Sequence, residues 1–379
     1  MTSPARPRRI CFLYIAQTHQ ILHSLPIAVE LARNWPGFEV HLAATSQDHL
    51  DYIEQALDRL GGAPVHLRLL GPRWLRAVRW GDASTPPKAL MLLANLATFA
   101  GFDAVVTPER TTALIRRMGV RRPRLIYTQH GAGDRGGPFE PRLRLFDLVM
   151  AAGPKQRDRM VESGLVAPEN CAMVGYPKFD IVEALAPTPV RPFADDRPIV
   201  LYNPHFDPRL SSWPRWGPQV LDSLARDGRY NVIFAPHVRL FDPASTADLA
   251  AVEPFRDHPR IHIDRGGASA IDMTWTRVSD LYLGDVSSQI YEFLRTPRPA
   301  AFLNTHGVAW AGDESYRHWR YGPVIDRIDG LADAVAGAFA THAAYLAEQR
   351  AGFAESFDLQ AVSSSRRAAD AIAARLETA

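Results

Sequence analysis

Cysteine is almost missing from this chain: its 379 residues hold two, Cys11 and Cys171, each inside an apolar run of strand character. That usage excludes a disulfide framework and is typical of a reducing compartment, with both thiols as small core residues. A long apolar run is missing as well. The stretch from Ala89 to Val106 comes nearest, but Asn95, Gly101 and Asp103 interrupt it, so it reads as a helix over 88–100 and a strand over 104–107 rather than a membrane span. Residues 1–9 are polar and basic and the apolar run after them is short, which is not the pattern of a signal peptide. A cytoplasmic protein is expected. There is no internal repeat at a period of 20–50 residues and no low-complexity tract. No Asp-x-Asp pair stands at a strand end, and the adjacent pair Asp195-Asp196 falls in a proline-rich stretch. We expect no catalytic metal and no cofactor.

What is present is ordinary for a globular protein, with 46% hydrophobic and 22% charged residues. The length is too great for one core and implies two domains. The net charge of +2 conceals an asymmetry. Residues 1–190 carry 23 Lys and Arg against 17 Asp and Glu, and the remainder 20 against 24. A basic first half suits an anionic partner, or is an uneven distribution of solvated charge.

Short, continuously apolar strands alternate with amphipathic helices along the whole chain, which indicates parallel sheets covered on both faces. The segment 186–198 contains four prolines and reads as an interdomain linker. The expected architecture is α/β, with two doubly wound Rossmann-like domains facing a central cleft. The first is an acceptor domain over 1–187. A linker over 188–198 leads to a nucleotide-donor domain over 199–379, whose last helices are candidates to pack back on the first domain. In such sheets ligands sit beyond the carboxyl ends of the strands.

Four strand ends carry polar groups of interest. Leu281-Tyr-Leu-Gly284 is followed by Asp285-Val-Ser287-Ser288 and a predicted helix opening at the two serines, where hydroxyls and free N–H groups suit a phosphate. Simple helix capping is the alternative. The strand ending at Thr128 leads into Gln129-His130-Gly131-Ala132-Gly133-Asp134, where glycines let His130 approach a substrate, or where His130 caps its own turn. His205 ends the strand at 199–203, and His237 with Arg239 ends the one at 231–235. Histidines, an arginine and a Ser-Ser helix start together suit a pyrophosphate.

The order of these blocks carries a resemblance. His130-Gly131, Gly175-Tyr-Pro-Lys-Phe-Asp180, Tyr202-Asn-Pro, His237, Asp285-Val-Ser-Ser288 and Gly322-Pro323 together resemble the CDP-glycerol glycerophosphotransferase family, the teichoic-acid primases and polymerases. The family pattern has Trp-His-Gly-Thr where this chain has Gln129 to Ala132, Arg where it has Lys178, and His-Pro where Val238 follows His237. The resemblance implies a glycosyltransferase-B-like fold. It further implies transfer of a polyol phosphate from a CDP-activated donor to an envelope glycan or lipid-linked acceptor. On that basis His130 is the base and His237 the second catalytic group. His205, Gly131, Arg239, Asp285, Ser287 and Ser288 bind substrate. Two other readings stand beside it: a nucleotide-sugar glycosyltransferase or epimerase of the same fold, and a non-catalytic scaffold.

Arg73, Arg76 and Arg79 recur at helical spacing beside Trp74 and Trp80. They suit peripheral contact with an anionic membrane face, or ordinary packing. No nucleic-acid recognition motif is present, and no nucleic-acid partner is expected.

Overall fold

The computed structural model describes residues 6–79, 85–135 and 139–377. The chain divides into two compact units. One holds Met1–His130, Gly137–Pro187 and Glu355–Ala379, and the other Gly131–Gly136 and Thr188–Ala354.

The first unit is built on seven parallel strands: β1 (Arg8–Tyr14), β2 (Phe38–Ala44), β3 (Val65–Leu69), β4 (Ala104–Thr107), β5 (Arg124–Tyr127), β6 (Leu148–Ala151) and β7 (Cys171–Met173). Their order in the sheet is β3-β2-β1-β4-β5-β6-β7. The central strands are buried on both faces, as a parallel sheet under two helical layers requires; β4 reads Ala-Val-Val-Thr with every residue buried. The helix Ser364–Glu377 packs Ala368, Ile372 and Leu376 inward and lies against the helix Leu25–Asn34 of this unit. Ser365 donates to Asp180 through both its backbone N–H and its hydroxyl, each at 2.6 Å.

The second unit repeats the pattern with β8 (Ile199–Asn203), β9 (Asn231–Phe234), β10 (Ile261–Ile263), β11 (Leu281–Gly284), β12 (Ala300–Leu303) and β13 (Val324–Ile325). Their order is β10-β9-β8-β11-β12-β13, all parallel. In both sheets the strand order reverses between the first and fourth strands, at β1/β4 and at β8/β11, and such a switch point opens a crevice for ligand.

Two elements differ from the sequence reading. The helix expected over 88–100 is broken into Lys88–Ala94 and Leu96–Ala100. The amide of Asn95 causes the break: Nδ2 donates to the Met91 carbonyl at 2.7 Å while Oδ1 accepts from Gly71 N–H at 3.2 Å. The helix expected to open at Ser287-Ser288 begins at Gln289 and ends at Phe293. A single turn of that kind has little dipole to offer an anion.

Candidate functional site

In the first unit, His130 follows β5. Its predecessor Gln129 has a φ of 61°, a left-handed conformation that costs a non-glycine residue of order 1 kcal/mol and collects at functional sites. The Gln129 amide donates to the Met150 carbonyl at 2.9 Å, which holds the turn in place. His130 Nδ1 lies 2.7 Å from the Pro108 carbonyl, at the end of β4. A carbonyl only accepts, so Nδ1 carries the proton and Nε2 is the basic nitrogen. Burial holds the His130 pKa below the usual histidine range, although the Pro108 hydrogen bond opposes this. The ring is therefore neutral near pH 7.

Two more imidazoles stand edge-on to it, His19 at 6.3 Å and His23 at 6.5 Å between ring centroids. Burial, with Lys178, His130 and His19 nearby, keeps His23 well below its ordinary pKa. The neighbouring carboxylate is not a competing base. Burial is the largest single influence on Glu109 and raises it, but Lys88 Nζ at 2.6 Å and two hydrogen bonds from Thr111 together outweigh it and bring the carboxyl down to about 2.

In the second unit, His205 follows β8 and is 4% exposed. Its Nδ1 accepts from Asp207 N–H at 3.0 Å, and its Nε2 lies 3.1 Å from Arg135 Nη1. Burial, then the Arg135 charge, pushes its pKa down to about 3. Asp285, fully buried after β11, reaches across the switch point. Its Oδ2 accepts from His205 N–H at 2.9 Å and Ser212 N–H at 2.7 Å. Burial raises this carboxyl to about 7 despite those bonds.

His237 and Arg239 follow β9. His237 Nδ1 accepts from Arg239 N–H at 3.2 Å, which is the self-capping geometry. Both side chains flank Phe206, the imidazole at 4.6 Å between ring centroids and the Arg239 guanidinium 4.0 Å above the ring. Ser287 Oγ accepts from Gln289 N–H at 3.2 Å and so caps the short helix. A Cβ placed on Gly131 would lie 3.0 Å from Ser288 Oγ, and one on Gly133 would lie 3.1 Å from Ser288 Cβ. These glycines allow the 131–135 strap to lie directly on Ser288, so in the structure their role is close packing.

Four features escaped the sequence reading. Arg135 comes from that strap and points at His205. Asp134, buried beside it, receives Tyr291 Oη at 2.6 Å and His318 Nδ1 at 2.8 Å. Beyond β10 an open cavity of about 630 Å³ is lined by His262, Asp264, Arg265, Gly266, Gly267 and Trp275 among others. Trp275 stacks obliquely on His262 at 4.8 Å and donates to Asp264. Among the described residues, one group could offer a metal three ligands, namely Glu39, His41 and His66, with ligand atoms within 4.8 Å of one another. Glu39 and His66 lie near the amino ends of β2 and β3, away from the carboxyl ends where ligands sit in such sheets. Arg68 donates to His41 Nδ1 at 3.2 Å, which leaves the His41 proton on Nε2 facing Glu39 at 2.6 Å. The nitrogen a metal would need is thereby occupied.

No protein-family model matches the chain, and no curated protein matches it in sequence. Solved structures do match its fold. The wall teichoic acid polymerase TagF, soaked with CDPG, superposes with a TM-score of 0.65 at 12% identity, covering 98% of this chain and 89% of TagF. Staphylococcus aureus MnaA with UDP gives 0.61 at 12% identity, covering 98% and 96%. A UDP-N-acetylglucosamine 2-epimerase gives 0.55 at 13% identity, covering 92% and 94%. With these neighbours and its two parallel α/β sheets, the chain has a glycosyltransferase-B-like fold of two Rossmann-like units.

Proposed function

We propose that the protein is a transferase that moves a glycerol phosphate, or a related polyol phosphate, from a CDP-activated donor to a hydroxyl of a cell-envelope glycan or lipid-linked acceptor. The observation that carries this reading is the fixed tautomer of His130, a neutral imidazole whose Nδ1 proton is committed to Pro108 and whose Nε2 is basic. In the proposed step, the acceptor hydroxyl gives its proton to Nε2. Its oxygen forms a bond to the donor phosphorus that bears the polyol, and the bond from that phosphorus to CMP breaks. The donor groups of the second unit support the diphosphate half of the reading. Arg135 and Arg239 supply charge, His205 supplies a buried polar edge, and Asp285 holds the His205 backbone. Phosphoryl transfer relies chiefly on such positioning and electrostatics. The cavity beyond β10, with Trp275 and His262 as aromatic wall, suits a nucleobase.

A membrane-borne acceptor would account for the short helix Arg73–Ala77, where Trp74 is 70% exposed beside Arg73, Arg76 and Arg79. Trp80 of the same expected patch lies outside the described residues. No helix among the described residues is long and apolar enough to cross a membrane.

The test is release of CMP from CDP-glycerol or CDP-ribitol with a polyol-phosphate acceptor present and no metal added. Release of UDP from a sugar donor, with none of CMP from any CDP compound, would favour sugar-nucleotide chemistry instead. The MnaA and epimerase neighbours fit that second reading equally well in fold. Failure of every nucleotide to bind would favour a scaffold.

A further inference from the structure

Arg135 and His205 face each other in a way that neutral chemistry does not satisfy. His205 Nδ1 accepts from the Asp207 backbone, so the single proton of the neutral ring is on Nε2. That nitrogen is 3.1 Å from Arg135 Nη1, and a guanidinium can only donate. Moving the proton to Nδ1 merely transfers the conflict to Asp207 N–H. Two donors held against each other, one on a ring buried to 4% exposure, would both be satisfied by a single acceptor that bridges them from the side.

The contact is held by a closed circuit of polar bonds within the second unit. Asp134, the residue before Arg135, has its carboxylate straddled by Tyr291 Oη at 2.6 and 2.7 Å. Its Oδ2 also meets His318 Nδ1 at 2.8 Å. The other nitrogen of His318, Nε2, lies 3.1 Å from the Asp285 carbonyl. A carboxylate and a carbonyl both only accept, so the imidazolium is the form of His318 that donates to both. Asp285 in turn holds the His205 backbone through Oδ2 at 2.9 Å, and His205 returns to Arg135. The circuit joins the 131–135 strap, the ends of β8 and β11 and the 314–321 segment. Asp134 and His318 have side chains only 2% exposed, and such a buried pair is stable only when its hydrogen bonds are complete.

We propose that Arg135 Nη1 and His205 Nε2 jointly donate to one anionic phosphate oxygen, and that Asp134 and His318 are positioning residues that present Arg135 for it. The proposal rests on the phosphate-donor reading above and assigns an anion ligand within it. The probe is inorganic pyrophosphate, which carries neither base nor polyol, titrated by calorimetry at pH 7.5. Arg135→Ala is expected to weaken its binding at least tenfold, and Arg135→Lys by less. His318→Gln, which gives up the double donation, is expected to weaken binding several-fold in the wild-type background and not at all in the Arg135→Ala background. A merely structural role for His318 would instead add its loss to that of Arg135→Ala. If His318→Gln fails to fold by circular dichroism, Tyr291→Phe makes the same comparison, because it removes one donor from Asp134 and keeps the ring.

Pyrophosphate binding that is indifferent to Arg135→Ala would overturn the proposal, as would additive losses. Arg135-dependent binding of pyrophosphate without CMP release from any CDP compound would leave the anion site standing and remove the CDP reading. CMP release with Arg135-independent binding would do the reverse.

Discussion

The two units share a strand order and differ in what they place at the strand ends. In the first, a neutral imidazole with a fixed proton stands among two other imidazoles, and the nearby carboxylate of Glu109 is bound to a lysine. In the second, the Arg135 guanidinium faces a proton-bearing imidazole edge, a buried carboxyl holds the backbone of that histidine, and the Arg239 guanidinium lies over Phe206. One end can take a proton, and the other can hold an anion. Net charge predicts the opposite placement, because residues 1–190 are the basic half and the remainder is acidic. Anion binding is decided by where a few donors converge in a dry site, whereas the surplus arginines of the first half, such as Arg122, lie largely on its surface.

The contrast can be broken most sharply at His130. His130→Gln should lower the single-turnover rate ~10²–10⁴-fold, the usual contribution of a positioned base, and leave CDP-glycerol affinity unchanged. Next in size is Arg239→Ala, which removes one of the charged donors proposed for the diphosphate. It should weaken donor binding by ~10-fold or more, since a hydrogen bond to a charged group contributes about 1.5–3 kcal/mol, with the rate at saturating donor altered much less.

The pH dependence of stability sharpens the same contrast with two opposite signs. His205 titrates near 3 in the fold and near the ordinary histidine value when unfolded. Its contribution is present above pH 6.5 and is lost as pH falls toward 3. Asp285 has the reverse behaviour, with a folded value of about 7 against 3.8. Its contribution is complete below pH 3.8 and is lost as pH rises through 7. Asp285→Asn keeps an oxygen to accept from His205 and Ser212 but cannot ionise. Relative to wild type it should therefore be more stable at pH 8 than at pH 5, by at most a few kcal/mol, read from thermal melts at both pH values. An equal difference at the two pH values would show that the carboxyl does not ionise on this scale.

The smallest effect belongs to the strap. Gly131→Ala should cost about 1 kcal/mol of stability through its contact with Ser288 Oγ. Ser288→Ala should relieve that cost. Gly133→Ala meets Ser288 Cβ instead, and the same second substitution should not help it.

Much of the fold was legible because buried parallel strands announce themselves as short apolar runs. β10 and β12 occur at the residues read from sequence, and β8 spans 199–203 as expected. β13 was missed because two residues make no periodic signal. The strand-end histidines were legible because the doubly wound architecture tells where to look. Arg135, Asp134 and His318 were not. Asp134 meets a histidine 184 residues away, and no local pattern marks a partnership of that range. His237 shows the limit from the other side, since sequence places it at a strand end but only coordinates show its Nδ1 bonded to its own turn.

The central claim, a neutral base in one unit and an anion grip in the other, is tested most directly by the pH profile of single-turnover CMP release at saturating CDP-glycerol. Because burial holds His130 below the ordinary histidine range, the account predicts a rate that is flat above about pH 6.5 and falls on the acid side as Nε2 becomes protonated. It also predicts that His130→Gln removes this acid limb. An acid limb that persists unchanged in His130→Gln would contradict the account.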